Sequence, residues 1–230
     1  MEEDNIYQII ELVRNETAKW TPTVAALVAE TSRAPFKVLI SCILSARTQD
    51  KTTIQATKRL FDIADNPEKM LKLKVRKLEE IVYPVGFYRN KAKNILSTCK
   101  KLVDEYNCQV PDEIDELLKL PGVGRKTANL VVTKGYGKPG ICVDTHVHRI
   151  CNRLGYVNTK NPQATEFALR VKLPKEFWIE INDLLVSLGQ KICRPISPKC
   201  TECPIENLCD KVGIRKSQYS PEPITKNGER

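Results

Sequence analysis

Two apolar helical segments are separated by Pro121-Gly122-Val123-Gly124. Leu117, Leu118 and Leu120 close the first segment, and Pro121 stops it because proline has no N–H and clashes with the preceding turn. Gly122 and Gly124 permit a tight bend at positive φ. Arg125 to Thr133 reads as the second helix, with Ala128, Val131 and Val132 on one face. The break therefore predicts a helix, a very short hairpin and a second helix. The first amides of a helix lack intrahelical partners and suit an anion such as phosphate. A glycine-capped turn between two core helices would account for Gly122 and Gly124 without any ligand.

Lys126 falls in the first turn of the second helix, where the helix dipole disfavours a positive charge. An amine whose pKa is lowered is a usable nucleophile. A solvated surface lysine is the other reading. Asp144, in Val143-Asp144-Thr145-His146, stands where a helix N-cap is expected, and aspartate is a common cap.

The rest of the chain has helical spacing. Ile6, Ile9, Ile10 and Val13 form a stripe at i, i+3, i+4 and i+7. Thr21-Pro22 opens a helix carrying Val24, Leu27 and Val28. Pro35 starts a nearly uninterrupted apolar run from Val38 to Ala46, the pattern of a buried helix. Asp50 is expected to cap the next helix, and Asn66-Pro67 begins a short one. Helices are predicted over 75–83, 88–106, 112–120, 145–155, 162–172 and 175–190. No clear strand alternation appears, so the fold class is all-α. The last residues, Lys211 to Arg230, have few large apolar side chains and are expected to hang free in part.

The chain has 230 residues, with 37 Lys and Arg against 28 Asp and Glu, a formal net charge of +9. That balance points to an acidic partner, of which nucleic acid is the commonest. Residues 122–153 hold six basic side chains and one acidic, whereas 111–118 hold four acidic and no basic ones. Nine cysteines, an odd number with four near one end, do not suit a secreted disulfide framework. The first residues, MEEDN, lack a signal pattern, and no apolar run approaches the ~20 residues of a membrane span. The expectation is an intracellular protein with no membrane partner.

Leu120-Pro121-Gly122-Val123-Gly124-Arg125-Lys126-Thr127-Ala128 with Val143-Asp144-Thr145-His146-Val147-His148-Arg149 closely resembles the endonuclease III family of DNA glycosylases, in the helix-hairpin-helix superfamily. The resemblance implies that Lys126 is the nucleophile and Asp144 the essential carboxylate. It implies that the hairpin carbonyls hold a monovalent cation against a DNA phosphate, with Gly122, Gly124, Arg125, His146 and Lys191 among the DNA contacts. It also implies two helical lobes with a DNA cleft between them. One is a six-helix barrel domain of residues 29–138, and the other joins 1–28 to 139–215, with 216–230 a flexible basic tail.

Ten basic and two acidic residues lie within 69–101. Among them Phe87 sits beside Gly86 at a turn, where an apolar side chain could wedge between bases. The family has a wedge residue there, usually leucine. In Ser45-Ala46-Arg47-Thr48-Gln49-Asp50, Arg47 replaces a glutamine of the family pattern that fills the hole left by the flipped base. Arginine can stack on bases and donate hydrogen bonds, preferably to guanine. It can equally serve as a plain phosphate contact.

Cys193, Cys200, Cys203 and Cys209 have the spacing C-x6-C-x2-C-x5-C, which points to a metal site. Spacing alone leaves zinc and an iron–sulfur cluster open. The resemblance implies a structural [4Fe–4S] cluster, with Arg194 and Lys199 on the loop between the first two ligands to grip phosphate. The implied function is a bifunctional glycosylase and apurinic/apyrimidinic lyase for oxidised pyrimidines. Its partner would be double-stranded DNA carrying damaged bases or abasic sites. The protein would act as a monomer, cytoplasmic and nucleoid-associated in a prokaryote. A non-catalytic hairpin module with a structural metal is the alternative, and it would need the glycines but not Lys126 with Asp144.

Overall fold

The computed structural model describes residues 4–20 and 34–215. The helix expected from Thr21-Pro22 and the tail from residue 216 onward lie outside the described residues. Those described are helical, with no strand among them. They divide into two compact units, residues 34–142 and residues 4–20 with 143–215.

In the first unit α2 (Pro35–Ser45) is the central element. It is apolar on nearly every side and buries Val38, Leu39, Ile40, Ile43 and Leu44, as its sequence demands. Around it pack α3 (Asp50–Ile63), α6 (Tyr88–Glu105), α8 (Arg125–Leu130) and the π turn that follows α8, Val131–Gly135. The short helices α4 (Pro67–Leu71) and α5 (Val75–Val82) pack on α6. Helix α7 (Ile114–Leu117) precedes the hairpin.

Local chemistry sets the helix ends. Asn66 caps α4 by accepting from the Lys69 amide at 2.9 Å. Asp50 does not cap α3, as expected, but is its first residue, with Gln49 the cap. A carboxylate there still meets the positive end of the dipole. The helix predicted over 112–120 is shorter, because i→i+3 bonds from Lys119 to Glu116 and from Leu120 to Leu117 tighten its end into turns. The helix predicted from Arg125 to Thr133 widens into the π turn. There the Thr133 hydroxyl donates to the carbonyls of Asn129 (2.8 Å) and Leu130 (3.3 Å), competing with the backbone ladder.

In the second unit α1 (Asp4–Thr17) packs on α11 (Ile181–Lys191). The predicted stripe of Ile6, Ile9, Ile10 and Val13 is buried, each side chain contributing roughly 1.5–3 kcal/mol. Helix α9 (Thr145–Arg153) packs on α10 (Pro162–Lys172) and α11. The helix predicted over 175–190 is a 3₁₀ turn at Lys175–Phe177 and then α11. The Trp178 indole donates to the Leu173 carbonyl at 2.8 Å and holds this segment folded back. Among the described residues no helix is long and apolar enough to cross a membrane.

Candidate functional site

The hairpin is anchored by Leu117, Leu120 and Val123, all buried. Gly122 adopts φ +78, and a Cβ on it would meet Asn94 Nδ2 at 2.7 Å, so both conformation and space demand glycine. Gly124 corrects the sequence expectation. Its φ of −102 is not left-handed, and it is the extended N-cap of α8, with no side-chain cap bond. The Thr98 hydroxyl donates to the Pro121 carbonyl at 2.8 Å and ties the hairpin to α6.

Lys126 is the second residue of α8 and is exposed. Its carbonyl accepts from Cys142 Sγ at 3.8 Å. Burial pushes the Cys42 thiol of α2 up to about 12, against the pull of the Lys126 charge. Buried Asn129, which sequence reasoning passed over, sets the frame of this helix. Its Nδ2 donates to the Arg125 carbonyl and its Oδ1 accepts from the Ile141 amide, both at 3.1 Å.

In the same unit Arg47 and Phe87 come together, with the guanidinium carbon 5.7 Å from the ring centroid. Both are exposed, and both have left-handed backbone, φ 53 and φ 57. Phe87 is the N-cap residue of α6 and 61% exposed. The basic stretch around it is less available to DNA than its count suggests. Lys69, Lys77, Lys100 and Lys101 pair with Asp65, Glu80, Asp104 and Glu105, and Lys91 is buried.

In the other unit Asp144 is the N-cap of α9, as its position predicts. Its Oδ1 accepts from the amides of His146 (2.8 Å) and Val147 (3.0 Å). His146 is half-buried, and its Nδ1 lies 3.0 Å from Arg149 Nη2. Arginine only donates, so Nδ1 accepts and the ring proton sits on Nε2. Arg149 also donates to the carbonyls of Gly189 (3.2 Å) and Cys193 (2.8 Å). Arg153 donates to the carbonyls of Arg194 (2.6 Å) and Pro195 (2.8 Å) and to Cys193 Sγ at 3.4 Å. Both arginines belong to the six basic residues of 122–153. They pin the start of the cysteine loop, and Lys138 pairs with Asp112 and Glu113.

Cys193, Cys200, Cys203 and Cys209 all line one pocket, with Ile150, Leu154, Leu188, Ile192 and Ile205 as its apolar wall. Burial and then the neighbouring cysteines push the Cys203 thiol up to about 12. Among the described residues no three His, Cys, Asp or Glu side chains converge as the ligands of one ion would. The three basic residues expected near this loop differ in their engagements. Lys191 is exposed at the end of α11 with its Nζ 4.8 Å from the centroid of Trp20. Arg194 is exposed. Lys199 is paired with Glu202 at 2.8 Å, so a phosphate must displace that pair.

Residues 40–175 match the HhH-GPD superfamily of base excision DNA repair proteins. Endonuclease III of Thermotoga maritima is 48% identical over 176 residues, 76% of this chain and 83% of its own length. The chain belongs to the endonuclease III family. Endonuclease III of Bacillus subtilis is 41% identical over 189 residues, 79% of this chain and 86% of its own. Two solved endonuclease III structures share the fold across 92% of this chain. A non-covalent DNA complex matches at TM-score 0.81 and 36% identity, over 96% of its own chain. A trapped covalent intermediate with DNA matches at TM-score 0.78 and 37% identity, over 97% of its own chain. The endonuclease III family generally carries a [4Fe–4S] cluster.

Proposed function

We propose that this endonuclease III family member is a bifunctional DNA glycosylase and AP lyase of base-excision repair, acting on oxidised pyrimidines in duplex DNA. The observation that carries the reading is Lys126. It is an exposed amine directly after the hairpin, in a chain whose fold matches an endonuclease III trapped covalently on DNA. Its Nζ attacks C1′ of the damaged nucleotide, the glycosidic bond breaks, and the base leaves with the bonding electrons. Loss of a proton from nitrogen and opening of the sugar give a Schiff base. The iminium acidifies the C2′ proton, and its removal expels the 3′ phosphate by β-elimination. Asp144, a carboxylate held by two amides, stabilises positive charge developing on the sugar.

Phe87 wedges between bases beside the flipped nucleotide, and Arg47 enters the hole it leaves, facing the base left opposite. DNA engages groups from two lobes, residues 29–138 and residues 1–28 with 139–215. Arg125 and the hairpin glycines lie along a phosphate, with a monovalent cation on the hairpin carbonyls. His146, Lys191, Arg194 and Lys199 add contacts from the other lobe.

The four cysteines of the pocket hold a [4Fe–4S] cluster, which when bound crosslinks the loop through four thiolates. Two features support this reading: the four thiols line one pocket, and the endonuclease III family generally carries such a cluster. Arg149 holds the carbonyl of the first ligand and Arg153 that of the next residue in place for it.

The chemistry is tested by borohydride, which reduces a Schiff base to a stable amine and leaves protein joined to damaged DNA. Lys126→Ala is expected to lose both trapping and strand cleavage while still binding DNA. Undiminished trapping in that variant would move the nucleophile elsewhere. Absence of trapping and cleavage in the wild-type protein would favour a non-catalytic hairpin module.

A further inference from the structure

We propose that Lys91 and Thr48 are positioning residues that hold Arg47 and Phe87 as one preassembled wedge, an inference that rests on the glycosylase reading above. Lys91 belongs to α6 and is only 7% exposed, although its sequence neighbourhood reads as a solvated basic face. Its ammonium donates to the carbonyls of Leu44 (2.8 Å) and Ala46 and to Thr48 Oγ1 (3.0 Å). These three acceptors come from the segment that carries Arg47. Burial pulls the Lys91 pKa down to about 8, because the buried ammonium has lost water.

Thr48 then links this segment to the turn that carries Phe87. Its hydroxyl oxygen also accepts from the Gly86 amide at 3.1 Å. Gly86 lies so close that a Cβ on it would stand 2.6 Å from the Arg47 carbonyl oxygen. From α3, Arg59 donates to the carbonyls of Ile81 (3.0 Å) and Tyr83 (2.6 Å) and fixes the near side of the same turn. Arg47 and Phe87 each occupy a left-handed conformation that such residues rarely adopt. A strained pair persists only where its surroundings determine it, and this bracket does so. The guanidinium then rests near the ring in the free protein. The two side chains enter DNA without first being ordered, so less of the binding free energy is lost to fixing them.

The test uses the full chain, an undamaged duplex and a duplex with a tetrahydrofuran abasic analogue, with affinities read by fluorescence anisotropy. Lys91→Met and Thr48→Val should each weaken analogue binding by at least about tenfold, since each loses at least one charge-assisted bond of the bracket. Undamaged-duplex affinity should stay within about twofold, because phosphate contacts supply it. In a Phe87→Ala background, adding Thr48→Val should cost less than about twofold more, since the wedge is already lost. A merely structural role predicts losses that multiply in the double variant, or equal losses on both duplexes, and either result overturns the proposal. So does unchanged analogue affinity in Thr48→Val. Should Lys91→Met fail to fold, Thr48→Val carries the test alone, because it keeps the buried lysine and two of its acceptors. These readouts need no turnover. A wild-type protein that discriminates the analogue but forms no borohydride adduct would sink the lyase chemistry and leave the wedge standing.

Discussion

Asp144 has two duties that a single substitution separates. As a cap, its Oδ1 takes the amides of His146 and Val147. Asparagine caps about as well, so Asp144→Asn should change stability by no more than a few tenths of a kcal/mol. As the proposed stabiliser of a cationic sugar, it loses its charge in the same substitution, and turnover should fall by roughly 10²–10³ with DNA affinity retained. Melting temperature and single-turnover glycosylase rates together decide between them. Near-normal turnover would leave Asp144 a cap only. At this scale the sequence was readable where one residue type has one local use. Asp144 as a cap and Gly122 in a left-handed turn follow from propensity. Gly124 does not, because a glycine also serves as an extended N-cap and nothing local distinguishes the two. Nor does Lys91, whose burial depends on acceptors 43 or more positions away.

Among the elements, periodicity carried most of what could be read. The isoleucine stripe of α1 and the apolar run of α2 are buried because no other placement removes that surface from water. The π turn after α8 and the short α7 escaped, since side-chain bonds and i→i+3 bonds decide them and leave the hydrophobic pattern unchanged. The segment bracing Arg47 against α6 makes a prediction of its own. The folded protein holds Lys91 at about 8, below the ordinary 10.5. A pKa depressed in the fold means that the unfolded chain binds more protons between those values. The burden of the buried charge is therefore full below pH 8 and is relieved as pH rises towards 10.5. Relative to Lys91→Met, wild-type unfolding free energy should climb from pH 8 to 10 by up to ~1.4 kcal/mol per pH unit. Denaturant titrations of both proteins across that range check it, and a flat difference would mean that the charge is well solvated.

At the scale of the whole molecule, the spacing of Cys193, Cys200, Cys203 and Cys209 was enough to place four thiols around one pocket. It could not reveal Arg149 and Arg153, because a basic side chain turned onto backbone carbonyls looks the same in sequence as one turned to phosphate. The net charge of +9 overstates the surface offered to DNA for the same reason. The pocket leads to the remaining prediction. Protein purified without air should be yellow-brown, absorb broadly near roughly 400 nm and contain about four irons per chain, as a cluster on four thiolates requires. Cys203 lines the pocket between Cys200 and Cys209 in sequence and is half-buried. Cys203→Ala leaves three thiolates and an apolar gap, and ligation free energy is also folding free energy. The variant should lose colour and iron and unfold at lower temperature or denaturant, with α9 and α11 loosened because both line the pocket. Hydrogen exchange resolved along the chain would locate that loosening in 143–215 and leave 34–142 protected. A colourless wild-type preparation with one zinc per chain would overturn the cluster, and a Cys203→Ala protein with full iron and unchanged exchange would remove Cys203 from its ligands.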